Sequence, residues 1–246
     1  MPNFVALDFA QHRHLRLATG HGAALGDGLG MVSVVPSEIP ALVNAYPLFF
    51  RKGAGGYELG AMLGFAADEN LFLREGGWQA AYVPLVQRCQ PFAVQRSTQT
   101  EGRNTLMIDL DSPRLTREGD ALFFSDGRPS ERLQASVDAL EALVKGAALG
   151  AAYAAALDAL GLIEPVELRV DMGAGAPLVV PGLFGLAAER LAGLTSAEVA
   201  GLHERGFLPW VYQQAASVGQ VANLILARQQ GARQQAASQQ GARHAG

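Results

Sequence analysis

Two apolar runs, Pro47–Lys52 and Tyr57–Phe65, flank the tetrapeptide Gly53-Ala54-Gly55-Gly56. Nothing else in the chain restricts the fold as tightly. Glycines supply the left-handed backbone that a tight reversal needs, so the two runs read as a β-hairpin. An apolar hairpin is unstable alone and must be packed against further strands or helices. A sheet is therefore seeded within the first third of the chain.

The rest of residues 1–128 agrees with that seed. Phe4–Asp8 and Leu15–Ala18 alternate, and Met31–Val35 is β-branched and stops at Pro36. Ala80–Val83, Phe92–Arg96, Thr105–Asp109 and Leu122–Phe124 are further expected strands, with turns at Gly76-Gly77 and Asp126-Gly127. One short helix is expected over Ser37–Ala45, with Ser37 as its N-cap.

Residues 129–228 read mostly as helix. Ser130 caps a segment running to about Leu160, with Leu133, Val137, Leu140, Val144 and Ala147 spaced by three and four. Gly161 closes it. A second hairpin is expected from Val166–Met172 and Pro177–Val180 about Gly173-Ala174-Gly175. Thr195 and Glu198 form a capping box, Gly206 ends that helix, and Leu208–Arg228 reads as a last one. The fold class is thus α+β: a mainly antiparallel β-rich N-terminal part, then a helical part holding one more hairpin. Residues 1–228 are expected to be one domain sharing one core. The tail 229–246 repeats Gln-Gln-Gly-Ala-Arg and has little to bury, so disorder or a frayed helix is expected there.

Composition narrows function. The net charge is −4 and the basic residues are scattered Arg, with only Lys52 and Lys145 as lysines. No basic block suits a phosphate backbone, which argues against nucleic-acid binding. Cys89 is the single cysteine, which excludes an internal disulfide and a Cys-rich metal site. The N-terminus lacks a signal-peptide layout, and no uninterrupted apolar run reaches the roughly 20 residues of a spanning helix. A soluble, cytoplasmic protein without a membrane span is expected.

Several landmarks recur in a fixed order: Gln11-His12-Arg13, Tyr46-Pro47, Leu63-Gly64, Asn70-Leu71-Phe72, Trp78, Tyr82-Val83-Pro84, Arg88, Pro91-Phe92 and Ile108-Asp109. Leu160–Pro165, Leu202-His203 and Leu208–Leu226 follow. In this order, over roughly residues 4–228, the chain is similar to the bacterial SapC-like family. The resemblance implies an association with surface-layer protein export, and with gene neighbourhoods holding TonB-dependent receptors and halogenase-like proteins. It thereby implies an accessory role in handling a peptide, protein or imported substrate. The chain departs from the family at Cys89-Gln90, where a basic-aromatic step is usual. It departs again at Tyr212–Ala215, where a His-containing stretch is usual, so no histidine role carries over there.

The residues that bear chemistry do not complete a catalytic set. His12 and His14 share a face if they lie on a strand, but Arg13 and Arg16 disfavour a bound cation. Asp109 and Asp111 form a D-x-D at a strand end, a pattern that holds a divalent ion in some sites and starts a turn in many more. Asp109, if partly buried, needs a partner such as Arg88 or Arg103. Arg88 beside Cys89 favours a thiolate, but no His lies near in sequence. No G-x-S-x-G or P-loop occurs, and Gly26–Gly30 is a weak dinucleotide loop. No metal or cofactor is expected. Trp78, Tyr82, Arg88 and Phe92, with Asn70, are expected to converge on an apolar cleft with a polar rim. The leading expectation is a non-catalytic binding or accessory protein for a peptide or protein partner. The alternatives are an enzyme built around Asp109, His12 and Arg88, and a structural subunit of a homo-oligomer.

Overall fold

The computed structural model describes residues 2–74, 77–96, 104–170 and 177–231. Arg103, Gly76, the turn at Gly173-Ala174-Gly175 and the tail beyond 231 lie outside the described residues. The N-terminal part runs β1 (Phe4–Ala6), the single-turn helix α1 (Phe9–His12), β2 (Arg16–Leu17), β3 (Met31–Ser33), the single-turn α2 (Ile39–Leu42), β4 (Leu48–Gly53), β5 (Gly56–Met62), β6 (Leu73–Arg74) and β7 (Gly77–Trp78). It continues through α3 (Leu85–Arg88), β8 (Phe92–Arg96), β9 (Asn104–Asp109), β10 (Leu115–Thr116) and β11 (Asp120–Ala121). Then come the long helix α4 (Glu131–Ala159), β12 (Ile163–Val170), β13 (Leu178–Leu186), α5 (Ala188–Ala192), α6 (Ser196–Glu204) and α7 (Leu208–Ser217). A 3₁₀ turn at Val218–Gln220 precedes further helix at 221–231. The α+β class is as expected.

The hairpin read from the sequence is the middle of the main sheet, whose order is β12-β13-β4-β5-β3, antiparallel throughout. Its period of two sorts the side chains. Leu48, Phe50, Leu59 and Ala61 face the main core, where Tyr153, Leu157, Phe207 and Val211 from α4 and the last helices meet them. Phe49 and Met62 face the opposite side and pack with Val170, Val180, Leu183 and Leu224. The C-terminal hairpin is thus a structural neighbour of the N-terminal one, not an appendage.

A smaller sheet, β1-β9-β8, and the short ladder β10-β2-β11 build a second cluster around Leu17, Phe92 and Ile108. α4 joins the two clusters. Its first half contributes Leu133, Ala139 and Leu140 to the second, and its second half Tyr153, Ala154 and Leu157 to the first. Ser130 caps it by accepting the Leu133 N–H at 3.2 Å. By length and composition α4 is also apolar enough to cross a membrane, with a mean hydropathy of 1.4 over its best 18 residues. Counting uninterrupted apolar runs misses this, because Lys145 and Glu141 interrupt the helix without lowering its average much.

Three local expectations are corrected. Leu122–Phe124 is not a strand: Phe123 makes a single bridge to Pro129. Ala80–Val83 is irregular chain, since Tyr82 is turned to serve hydrogen bonds rather than a ladder. Ser37 caps nothing: a 3₁₀ turn over Pro36–Glu38 leads into α2, and the Glu38 carboxylate takes the Val35 N–H instead.

Candidate functional site

Asn70, Trp78 and Tyr82 are brought together, and hydrogen bonds within the fold hold their polar ends. Tyr46, fully buried, receives the Trp78 Nε1–H at 2.7 Å and donates to the Tyr82 carbonyl at 2.5 Å. Tyr82 donates in turn to Glu38 Oε1 at 3.1 Å. Burial pushes the Tyr82 hydroxyl up to about 12, with the Glu38 charge adding to it. The positive charge of Arg88, whose side chain is exposed, lowers both Tyr82 and Glu38. The Tyr46 and Trp78 rings flank Phe72, with centroids at 4.5 and 6.4 Å.

Beside Trp78 lies a second polar group that the sequence reading missed. Asp27 is completely buried, and its carboxylate accepts from Arg114 Nη2 at 2.5 Å, from the Gly22 N–H at 2.9 Å and from His21 Nδ1 at 3.3 Å. Asn70 donates to the Asp27 carbonyl at 2.8 Å. Burial pushes the Asp27 carboxyl up, but His21, the Gly22 N–H and Arg114 together outweigh it and hold it below the usual range. The His21 ring stands edge-on to Trp78 at 5.4 Å, so the two groups form one partly exposed face. Gly26–Gly30, a weak dinucleotide loop by its sequence, is backbone wrapped around this ion pair. Gly30 is obligatory there, since a Cβ would fall 1.9 Å from the Ala66 carbonyl oxygen.

A concavity of ligand size lies elsewhere. A groove of about 730 Å³ runs between the β4–β5 hairpin and the second half of α4. Ala147, Gly150, Ala151 and Ala155 of α4 form a floor almost without side chains, and Ser33–Val35 form the lip. One wall is the edge of β5. β3 pairs with β5 only at Gly60–Met62, and the Val34 N–H adds one bond to the Leu59 carbonyl before the chain turns away at Pro36. The Met62 N–H bonds Pro47 on the opposite side, so alternation points the backbone of Leu59 and Tyr57 toward the groove. No strand among the described residues covers Tyr57 on that side.

A family model described as SapC matches residues 7–224. The chain belongs to the SapC family. No curated protein and no solved structure matches it.

Other residues expected at the site of this SapC-family chain lie apart from it. Phe92 is only 3% exposed and packs with Ile108 and Leu133, so it is core and not a cleft wall. Asp109 and Asp111 make a turn: Asp109 Oδ1 accepts from the Asn3 N–H at 2.7 Å and the Asp111 N–H at 3.1 Å. His12 lies in a helical turn rather than a strand, is buried, and accepts the Asp8 N–H on Nδ1 at 3.0 Å, while His14 is exposed. The expected Asp109–His12–Arg88 grouping is therefore not assembled by these bonds. Cys89 is buried and its thiol is pushed up to about 11 by burial, the opposite of an activated thiolate. Trp210 stacks on Phe207 and stands edge-on to Tyr153 in the main core, whereas Tyr212 is exposed. Among the described residues no three His, Cys, Asp or Glu side chains cluster as metal ligands do. Asp27, Glu38 and Arg114 carry no motif. Their one sequence signal is a charge set among glycines or apolar residues, which gains meaning only when its partner is known.

Proposed function

We propose that the chain is a non-catalytic binding protein, acting as an accessory factor in the cytoplasm, and that it takes an extended segment of a peptide or protein partner in the groove over α4. The observation that carries this reading is the open edge of β5 above a small-residue floor. An extended peptide laid there continues the line that β3 abandons at Ser33. It supplies a carbonyl and an N–H to Tyr57, and sets its own small or apolar side chains against Ala151 and Ala155. Main-chain bonds give affinity in this mode, and the floor selects side-chain size. Trp78 and Tyr82, through Tyr46 and Glu38, and Asn70, through the Asp27 carbonyl, support the arrangement from behind rather than touching the ligand.

Selection from a displayed library of random peptides tests the proposal. Peptides that bind wild type are expected to lose at least about tenfold in affinity to Ala151→Phe or Ala155→Phe. Both positions are exposed, so the fold tolerates them. Methylating the peptide amide that faces Tyr57 is expected to abolish binding. Selected peptides that ignore both changes would remove the groove from consideration.

His21 favours a second reading. A buried carboxylate that orients an imidazole beside an indole suits proton transfer. An enzymatic site would then lie at His21, not at Asp109 and His12. A His21→Ala variant that keeps every activity found for the wild type excludes it.

A further inference from the structure

We propose that Glu38 is an acid-sensitive latch on the groove: its ionised carboxylate holds the lip at Val35, and protonation releases it. The meaning of this latch for ligand capture rests on the groove reading above, whereas the latch itself stands on bond geometry.

Glu38 is 2% exposed and serves three donors with two oxygens. Oε2 accepts the Val35 N–H at 3.0 Å. Oε1 accepts the Leu85 N–H at 2.8 Å and the Tyr82 hydroxyl at 3.1 Å. Val35 belongs to the groove lip, and Leu85 opens α3. One carboxylate therefore ties the lip to the element on the far side of the cluster. A proton arriving here must settle on one oxygen. Oε1 already receives two donors, so Oε2 is the more available. An Oε2–H oxygen is a far poorer acceptor than a carboxylate oxygen, and its proton competes for the space of the Val35 N–H, so that bond is the one that weakens. The bonds to Oε1 survive, because a protonated carboxyl still accepts on its other oxygen. Release is thus local to the lip.

The surroundings favour the protonated form. Burial raises the Glu38 carboxyl above its usual range, and this outweighs the bonds from Leu85, Val35 and Tyr82 and the charge of Arg88. Cys89 also feels the Glu38 charge but stays a neutral thiol. On the α4 side the lip meets Gly146 against Val35 and Gly150 against Pro36, neither of which carries charge.

Amide hydrogen exchange on the full chain, read by NMR from pH 8 to pH 4 and corrected for intrinsic rates, tests the latch. Protection at Val35 is expected to fall at least tenfold on acidification, while Leu85 and the hairpin amides of Phe50 and Ala61 hold theirs. In Glu38→Gln the amide group presents N–H to Val35 where the carboxylate accepted. Val35 is then expected to be open at every pH, with its pH dependence gone. If that variant does not fold, the wild-type titration decides alone. Val35 protected throughout, or opening only in step with Leu85 and the hairpin, overturns the latch. The groove reading fails separately: peptides indifferent to Ala151→Phe remove it even where Val35 still opens with acid.

Discussion

Asp27 and Glu38 are both buried carboxylates, and their surroundings drive them in opposite directions. Asp27 is held below the ordinary aspartate value of 3.8 in the fold. Its contribution to stability is therefore present above that value and disappears as pH falls through the folded pKa. Glu38 is pushed above the ordinary glutamate value of 4.5 by burial. Between 4.5 and its folded pKa the native state binds more protons than the unfolded chain, so this group makes the protein less stable as pH rises through that window. Urea titrations across pH separate the two. Asp27→Asn is expected to flatten the acid limb below about pH 4, and Glu38→Gln the opposite slope at higher pH. At pH 7 Asp27→Asn also strands the Arg114 guanidinium, which is 2% exposed in its side chain. Breaking a buried pair from one side typically costs about 3–5 kcal/mol. A loss below 1 kcal/mol would mean that the pair is not what holds the Gly20–Gly30 loop.

Among elements, α4 is where packing and intrinsic preference compete most openly. Gly146 and Gly150 lie one turn apart in a helix, and Ala at either position gains about 1 kcal/mol in propensity. At Gly146 the added methyl falls 2.6 Å from the Val35 Cβ, a β-branched atom that cannot swing away. Overpacking there costs about 1–3 kcal/mol. Gly146→Ala is thus expected to destabilise by up to about 2 kcal/mol despite its better propensity. At Gly150 the nearest neighbour is Pro36 Cδ at 3.5 Å, an ordinary contact, so Gly150→Ala is expected to stabilise by up to about 1 kcal/mol. Denaturation midpoints of the two variants should move in opposite directions. The elements themselves were largely legible in the sequence, because their signals are local. The Gly-rich reversal, the Ser130 cap, Gly161 and the Thr195–Glu198 box all specify structure within a few residues. β13 reaches Leu186 rather than stopping at Val180, because a register shift near Val166 and a left-handed Gly182 carry it past Pro181. The site was less legible for the same reason in reverse. Arg114 and Asp27 are 87 residues apart, and Leu85 and Glu38 are 47 apart, so nothing local pairs them. Phe92 and Trp78 look alike as aromatics in a sequence, and only the arrangement of β8 under α4 decides that the first is core.

For the whole molecule, the sheet order places the divide between its β-rich and helical parts inside one sheet. β13, from the helical part, is the neighbour of β4. Phe50 on β4 meets Tyr153 of α4, at 6.2 Å between centroids. A fragment ending at residue 128 keeps β3, β4 and β5 but loses Tyr153, Leu157, Phe207 and Val211 from the main cluster, and Leu133 and Leu140 from the second. Each such side chain is worth about 1.5–3 kcal/mol on burial. Six of them together exceed much of the 5–15 kcal/mol that typically holds a domain. The fragment 1–128 is therefore expected to show no near-UV circular dichroism and no cooperative thermal transition. The intact chain, by contrast, is expected to melt once, with fluorescence of Trp78 and Trp210 and far-UV dichroism tracking each other. Two separated transitions in the intact chain, or a sharp melt in the fragment, would mean that the shared sheet is not the unit of folding. The groove would then lie between two bodies free to move, since its β5 wall belongs to one and its α4 floor to the other.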